Sequence, residues 1–235
     1  MSIAENVAHI RAQMNDAAVA VGRDPRQILL CAATKMNDAE AVKAAIAAGV
    51  DLCGENRVQE LTQKLSQNAY AGAPVHFIGH LQTNKVKQVV GKVDLIQSVD
   101  SLRLLTAINE EAARQGIRQD ILLEVNIAME ASKSGFSAQE ILPLVDEMSS
   151  FPNICLRGLM AIPPICQISA ENRKFFEKMY QLYVDTRAKN SDNVSVDILS
   201  MGMSGDFAEA IACGSTMIRI GTAIFGQRNY ISHHQ

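Results

Sequence analysis

Short β-branched, apolar runs recur along the chain, each followed by a stretch whose apolar positions stand three and four apart. The runs are ILLCAATK (28–35), VDLCGEN (50–56), VHFIGH (75–80), VDLIQSVD (93–100), ILLEVNI (121–127), ICLRGLMAI (154–162), VDILSMG (196–202) and TMIRIGTA (216–223). Between them, Val58, Leu61 and Leu65 make one helical stripe, and Leu102, Leu105 and Ile108 another. Ile141, Leu142, Val145 and Met148 continue the pattern, as do Phe175, Met179 and Leu182. An amphipathic helix from about Ile3 to Val21 precedes the first run. Several runs are continuously apolar, as strands need to be when helices cover one face and a packed interior the other. The alternation predicts an α/β fold, a single (β/α)8 TIM barrel with an additional N-terminal helix. A doubly wound open sheet is the alternative, because periodicity does not show closure. At 235 residues the chain is just shorter than the roughly 250 usual for this barrel. One domain over 1–235 is therefore expected.

Composition removes whole classes of function. Hydrophobic residues make up 48% of the chain, enough for a sizeable core. Lys and Arg number 22 against 25 Asp and Glu, for a formal charge of -3, and no basic run forms a stripe or tail. General nucleic-acid binding is not expected. The five cysteines, Cys31, Cys53, Cys155, Cys166 and Cys213, form no C-x-x-C pair, which argues against a disulfide framework and a cysteine-built metal site. The N-terminus does not read as a signal peptide, and no apolar stretch is long enough to span a membrane. A soluble cytoplasmic protein without a metal site is the expectation.

The polar residues crowd one end of the predicted strands. Lys35 ends the first run, Asn56 the second and His80 the third; Asn126, Ser200 and Arg219 stand at or near later strand ends. In this fold the C-terminal strand ends carry the chemistry. Lys35 is rooted in an apolar strand, where desolvation lowers an amine's proton affinity, and a less protonated lysine can form an imine with an aldehyde or ketone. The plain alternative is a solvated loop lysine. Asn37 or Asp38 would cap the next helix. SMGMSGD (200–206) supplies glycines and a helix start, which present backbone N–H groups to an anion, and Gly221 and Thr222 follow the last strand beside it. Loops after strands seven and eight are the frequent phosphate site of this barrel. Neither a Walker pattern nor a dinucleotide fingerprint is present. Lysine and phosphate cradle together fit an aldolase-like enzyme on a phosphorylated sugar, or a protein that binds pyridoxal 5'-phosphate (PLP). Arg219 favours the second, since a permanently protonated guanidinium facing the pyridine nitrogen would keep that nitrogen unprotonated. An ion pair between Arg219 and Glu124 is the alternative.

The stretches CAATK (31–35), LCGENRVQEL (52–61), HFIGHLQTNK (76–85), EVNIAMEASKSGF (124–136) and GSTMIRIGTAIFG (214–226) resemble the pyridoxal phosphate homeostasis protein family, a single-domain group related to the barrel half of alanine racemase. The likeness covers most of the chain. It implies PLP as cofactor and Lys35 as the lysine that holds it in a Schiff base. It implies that Ser200, Ser204, Gly221 and Thr222 lie in the phosphate-binding stretches and that Arg219 stands where the ring-nitrogen arginine does. Asn56 and Met201 match residues lining the cofactor face. One departure is local: the family often follows its lysine with threonine or valine and soon a proline, whereas this chain has Met36, Asn37 and Asp38.

Racemisation needs acid/base groups on both faces of the substrate carbon. In the resembling two-domain racemases the second is a tyrosine brought by a C-terminal domain and a partner subunit. This sequence ends soon after the last motif, so no such domain is expected. Of Tyr70, Tyr180, Tyr183 and Tyr230, only Tyr230 could fold back toward the site, with His80 the other substitute; His233 and His234 carry little weight as metal ligands. A non-catalytic PLP-binding protein serving intracellular PLP homeostasis is the expected function, and a PLP-dependent amino-acid racemase the alternative. The expected partners are PLP, free amino acids and, transiently, PLP-dependent enzymes, and the expected state is a monomer.

Overall fold

The computed structural model describes residues 1–130, 133–164, 172–189 and 192–226; Cys166, Tyr230, His233 and His234 lie outside them. Helix α1 (Ile3–Ala20) opens on Ser2, which accepts from the Glu5 amide while the Glu5 carboxylate accepts from the Ser2 amide. This reciprocal cap satisfies two orphan donors of the first turn. Then follow β1 (Leu29–Ala33), α2 (Ala39–Ala47), β2 (Leu52–Glu55), α3 (Val58–Ser66), β3 (Val75–Phe77), β4 (Leu95–Val99), α4 (Leu102–Gln115) and β5 (Gln119–Val125). The second half contributes α5 (Ala138–Asp146), β6 (Ile154–Ala161), α6 (Arg173–Arg187), β7 (Val194–Ser200), α7 (Phe207–Ala212), β8 (Met217–Ile220) and α8 (Thr222–Phe225). All eight strands run parallel, and β8 pairs β1 with Cys31 opposite Arg219, closing the barrel. Closure excludes the open sheet. Each run read as a strand overlaps one, β5 and β7 beginning two residues before their runs.

Two local departures have physical causes. The connection between β3 and β4 is a 3-10 helix, Thr83–Gln88, rather than an α-helix. On α4 the buried positions are Leu104, Leu105, Ile108 and Ala112, while Leu102 is 52% exposed. Leu105 and Ile108 of the stripe are buried as expected, and Leu102, the first residue after the Ser101 cap, stays at the surface.

Strand alternation divides the core. Outward residues such as Ile96, Ile121, Leu123, Leu159 and Leu199 pack in the larger apolar cluster with α4, α5 and α6. Leu30, Ala32, Ile218 and Ile220 form a second cluster with Val7, Ile10 and Met14 of α1. Inside the barrel, Cys31, Leu52 and Met217 pack together, and Leu95, Leu122 and Met160 form another small cluster. Interior positions closer to the strands' C-terminal ends carry polar groups instead, among them Gln97, Ser200 and Arg219.

Candidate functional site

Lys35 stands two residues beyond β1, on backbone held from several sides. The Thr34 amide donates to the Gly54 carbonyl at 2.9 Å, and the Asn37 side chain donates to the Lys35 carbonyl at 3.0 Å. Met36 follows at φ 61°, a conformation uncommon for a side-chain-bearing residue, and its amide donates to Glu60 Oε2 at 2.6 Å. Asp38, not Asn37, caps α2 by accepting from the Ala41 amide at 2.8 Å. The Met36-Asn37-Asp38 departure is therefore built as a specific turn.

Beneath Thr34 lies a buried cluster that the sequence reading missed. Glu55 is fully buried, and its Oε1 accepts from Thr34 Oγ1 and Lys64 Nζ at 2.5 Å each and from the Tyr70 hydroxyl at 3.0 Å. Lys64 Nζ also donates to the Thr34 carbonyl at 2.7 Å. The signal available was Lys64 on the apolar stripe of α3, where a solvated lysine does not belong.

Asn56 follows β2, and its Oδ1 is buried without a hydrogen-bond partner among the described residues. Native proteins rarely leave such an atom orphaned, so a polar ligand group suits that position. Gly79 closes the gap behind it, since a Cβ there would stand 2.2 Å from the Asn56 carbonyl oxygen. His80 is exposed and its Nδ1 lies 3.0 Å from Asp100 Oδ2. Glu124, on the neighbouring strand, has its carboxyl pushed up first by burial and then by Asp100, against the pull of Arg219 and His80.

Arg219 is 5% exposed. Its Nη1 donates to Ser200 Oγ at 2.6 Å and its Nη2 to the Ala161 carbonyl at 2.9 Å. Those bonds hold it, and Glu124 acts on it only at longer range. Burial pushes its acidity toward the neutral form, opposed by Cys31, Glu124 and Asp206; a guanidinium keeps its proton regardless. Ser200 is completely buried, with its hydroxyl engaged by Arg219 and by Gln97 Oε1 at 2.7 Å. Met201 is also completely buried, in the larger apolar cluster.

After β7 the chain turns at Gly202, φ 96°, and Asp206 holds the turn by accepting from the Met203 amide at 2.7 Å. Ser204 and Thr222, from the two loops, line one cavity of about 450 Å³ with Asn6, His9 and Phe207. Gly221 begins α8. A different cleft, of about 540 Å³, holds Tyr180 and Tyr183 beside Gln27 and Thr216, at the N-terminal strand ends and away from Lys35. Tyr70 is committed to Glu55. None of the three described tyrosines reaches the mouth.

Among the described residues no group of three His, Cys, Asp or Glu side chains is placed to hold a metal ion, and no helix is long and apolar enough to cross a membrane.

Comparison with known proteins identifies the family. Residues 2–229 match the alanine racemase, N-terminal domain family. The pyridoxal phosphate homeostasis protein of Pasteurella multocida is 38% identical over 232 residues, covering 98% of this chain and 99% of that protein. Its counterpart in Escherichia coli is 39% identical over 231 residues, 97% of each. The solved structure of PipY from Synechococcus elongatus with PLP bound superposes with a TM-score of 0.82 at 30% identity, covering 96% of this chain and all of that one. The closed barrel, its strand-end lysine and these near-full-length matches together place the chain in the pyridoxal phosphate homeostasis protein family, on a barrel of the alanine racemase N-terminal type.

Proposed function

We propose that the chain binds PLP in the barrel mouth and holds it reversibly for intracellular PLP homeostasis, without efficient catalysis. When bound, PLP supplies an aldehyde that condenses with a primary amine. Lys35 would provide that amine, and the turn it stands on fixes its starting point. Ser204 and Thr222 hydroxyls and the backbone at Gly221 would hold the phosphate, where loop N–H groups favour an anion. Arg219 would face the ring nitrogen. The bonds to Ser200 and Ala161 use two of its five donors, and a remaining one can reach outward. Asn56 would meet a polar group of the ring. Ser200 supports Arg219 rather than the phosphate, because its hydroxyl is already engaged on both sides.

The observation that carries this reading is Arg219: a buried, permanently charged donor held at the C-terminal strand ends by a hydroxyl and a carbonyl, with no carboxylate in contact with it among the described residues. The PLP-bound relative and the homeostasis proteins of similar length support it. Free amino acids and, transiently, PLP-dependent enzymes would be the other partners of a cytoplasmic, monomeric carrier. The racemase alternative needs a second acid/base group, and the described tyrosines do not supply one at the mouth. General acid–base assistance is commonly worth about 10²–10⁴-fold.

The test is α-proton exchange in heavy water with D- and L-alanine, serine, glutamate, arginine and lysine, each added with PLP, followed by chiral chromatography. The carrier reading expects trace exchange. Turnover above about 1 s⁻¹, within the usual enzyme range, would replace it with the racemase reading and direct attention to His80, Asp100 and Glu124.

A further inference from the structure

Arginine donates hydrogen bonds and never accepts them, and that one-way rule propagates through the barrel interior. Ser200 Oγ receives the proton of Arg219 Nη1 at 2.6 Å. Gln97 faces it with Oε1, 2.7 Å away, an atom that only accepts, so the hydroxyl hydrogen of Ser200 points there. With its oxygen so engaged, the Gln97 amide presents Nε2 on the other side, 2.9 Å from His76 Nδ1 and 3.2 Å from Met217 Sδ. An amide nitrogen only donates. His76 Nδ1 must therefore carry the lone pair, and the neutral ring keeps its proton on Nε2. Four strands contribute, β3, β4, β7 and β8, and the four side chains range from 0% to 7% exposed. Bulk water does not compete for these bonds.

We propose that Ser200, Gln97 and His76 are positioning residues for Arg219, forming a hydrogen-bond chain of one polarity that fixes the guanidinium plane at the barrel mouth. This rests on the reading in which Arg219 faces the cofactor's ring nitrogen. A guanidinium held by the Ala161 carbonyl alone could rotate about that bond; the Ser200 bond removes the rotation, and Gln97 keeps the Ser200 lone pair turned toward Arg219. Protonating His76 would place an N–H against the Gln97 amide N–H and force the amide to turn over. The Ser200 hydroxyl would then lose its acceptor. The charged groups acting on His76 are Asp94, just before β4, and Arg157 on β6, which favour and oppose its protonation respectively. Arg157 is itself paired with Asp120 on β5 and Asp197 on β7. Burial is the larger influence and holds the ring's pKa down at about 4, so the chain is intact at neutral pH.

The experiment has two arms, each on the full chain, with folding checked by circular dichroism. In the cofactor-free protein, nitrogen-15 NMR of the histidine rings should show His76 as the Nε2–H tautomer at pH 7. Gln97→Glu replaces the donor with an acceptor, so the same ring should switch to donating from Nδ1. A wild-type His76 bearing its proton on Nδ1, or a ring indifferent to Gln97→Glu, would overturn the chain. In the second arm, affinity is measured for PLP and for its 1-deaza analogue, in which a C–H replaces the ring nitrogen. The wild type should prefer PLP by about tenfold, the ratio equivalent to ~1.4 kcal/mol. Ser200→Ala and Gln97→Leu should lower that preference at least about threefold while leaving affinity for the analogue within about twofold; Ser200→Thr, which keeps the hydroxyl, should retain it. Equal loss for both ligands would mean general damage to the core and would overturn the positioning role. If the tautomer result holds but the wild type does not discriminate between the ligands, the reading of Arg219 fails and the positioning role falls with it, leaving the chain as a core network.

Discussion

The residues that matter most near Lys35 are buried polar ones that never meet solvent. Glu55 and Lys64 form a contact at 2.5 Å with side chains 0% and 5% exposed. Removing one partner of such a pair generally costs about 3–5 kcal/mol, so Lys64 is a structural clamp on the Thr34 carbonyl rather than a spare amine. Burial, then the charge of Glu55, pushes the Tyr70 hydroxyl well above the ordinary tyrosine range, which keeps it a donor. His76 gives this scale a pH signature. Its folded pKa is depressed from 6.5 to about 4, so below pH 6.5 the unfolded chain takes up a proton that the folded chain refuses. The sign follows: this contribution to stability is complete above about 6.5 and is lost as pH falls toward 4. A depression of that size corresponds to about 3 kcal/mol. Urea unfolding at pH 7 and pH 4 should show the wild type losing about that much more than His76→Gln, and equal losses would contradict the depressed value. Lys35 and Asn56 stand out in the sequence because they end strand-like runs, and Arg219 because it is a charge inside an apolar one. Gln97 and His76 were legible only as polar letters inside such runs, and nothing in one sequence says that residues 97 and 200 are bonded across a barrel.

At the scale of elements, the turn between β7 and α7, proposed to hold the phosphate, is bonded to β8 at Arg219. Gly202 accepts from the Arg219 amide at 3.0 Å, while its φ of 96° and a Cβ position 2.6 Å from Ala210 Cβ demand glycine. Asp206, bonded to the Met203 amide and to Asn172 Nδ2, ties the turn to the start of α6. Forcing a side chain into the left-handed region costs on the order of 1–3 kcal/mol, before the overlap with α7 is counted. Gly202→Ala should therefore lower the thermal midpoint and weaken PLP more than unphosphorylated pyridoxal, as read by titration calorimetry with both ligands. Parallel losses would detach the turn from the phosphate. The glycines of SMGMSGD made a turn legible there, and the structure places one at Gly202. Of the stripe Leu102, Leu105 and Ile108, only Leu102 stays exposed, because it is the first residue after the cap at Ser101. The Thr83–Gln88 segment has too few apolar positions for its helix type to be read from periodicity.

For the whole molecule, closure of β8 on β1 sets Cys31 opposite Arg219, which brings the two ends of the chain's chemistry to one rim. Lys35 and Arg219 are 184 residues apart in sequence, and the barrel brings β1, which leads to Lys35, alongside β8, which carries Arg219. Eight apolar runs predict eight strands, but register across the closing seam has no sequence signature. The same closure leaves Tyr180 and Tyr183 at the opposite end from Lys35, which supports a holder of PLP over a racemase. The most direct measurement of the central claim is borohydride reduction of the PLP-loaded protein followed by peptide mass spectrometry. The account predicts one pyridoxyl group, on Lys35, and its loss together with the visible absorbance in Lys35→Ala. A label found only on Lys85 or Lys133, with Lys35 unmodified, would contradict it.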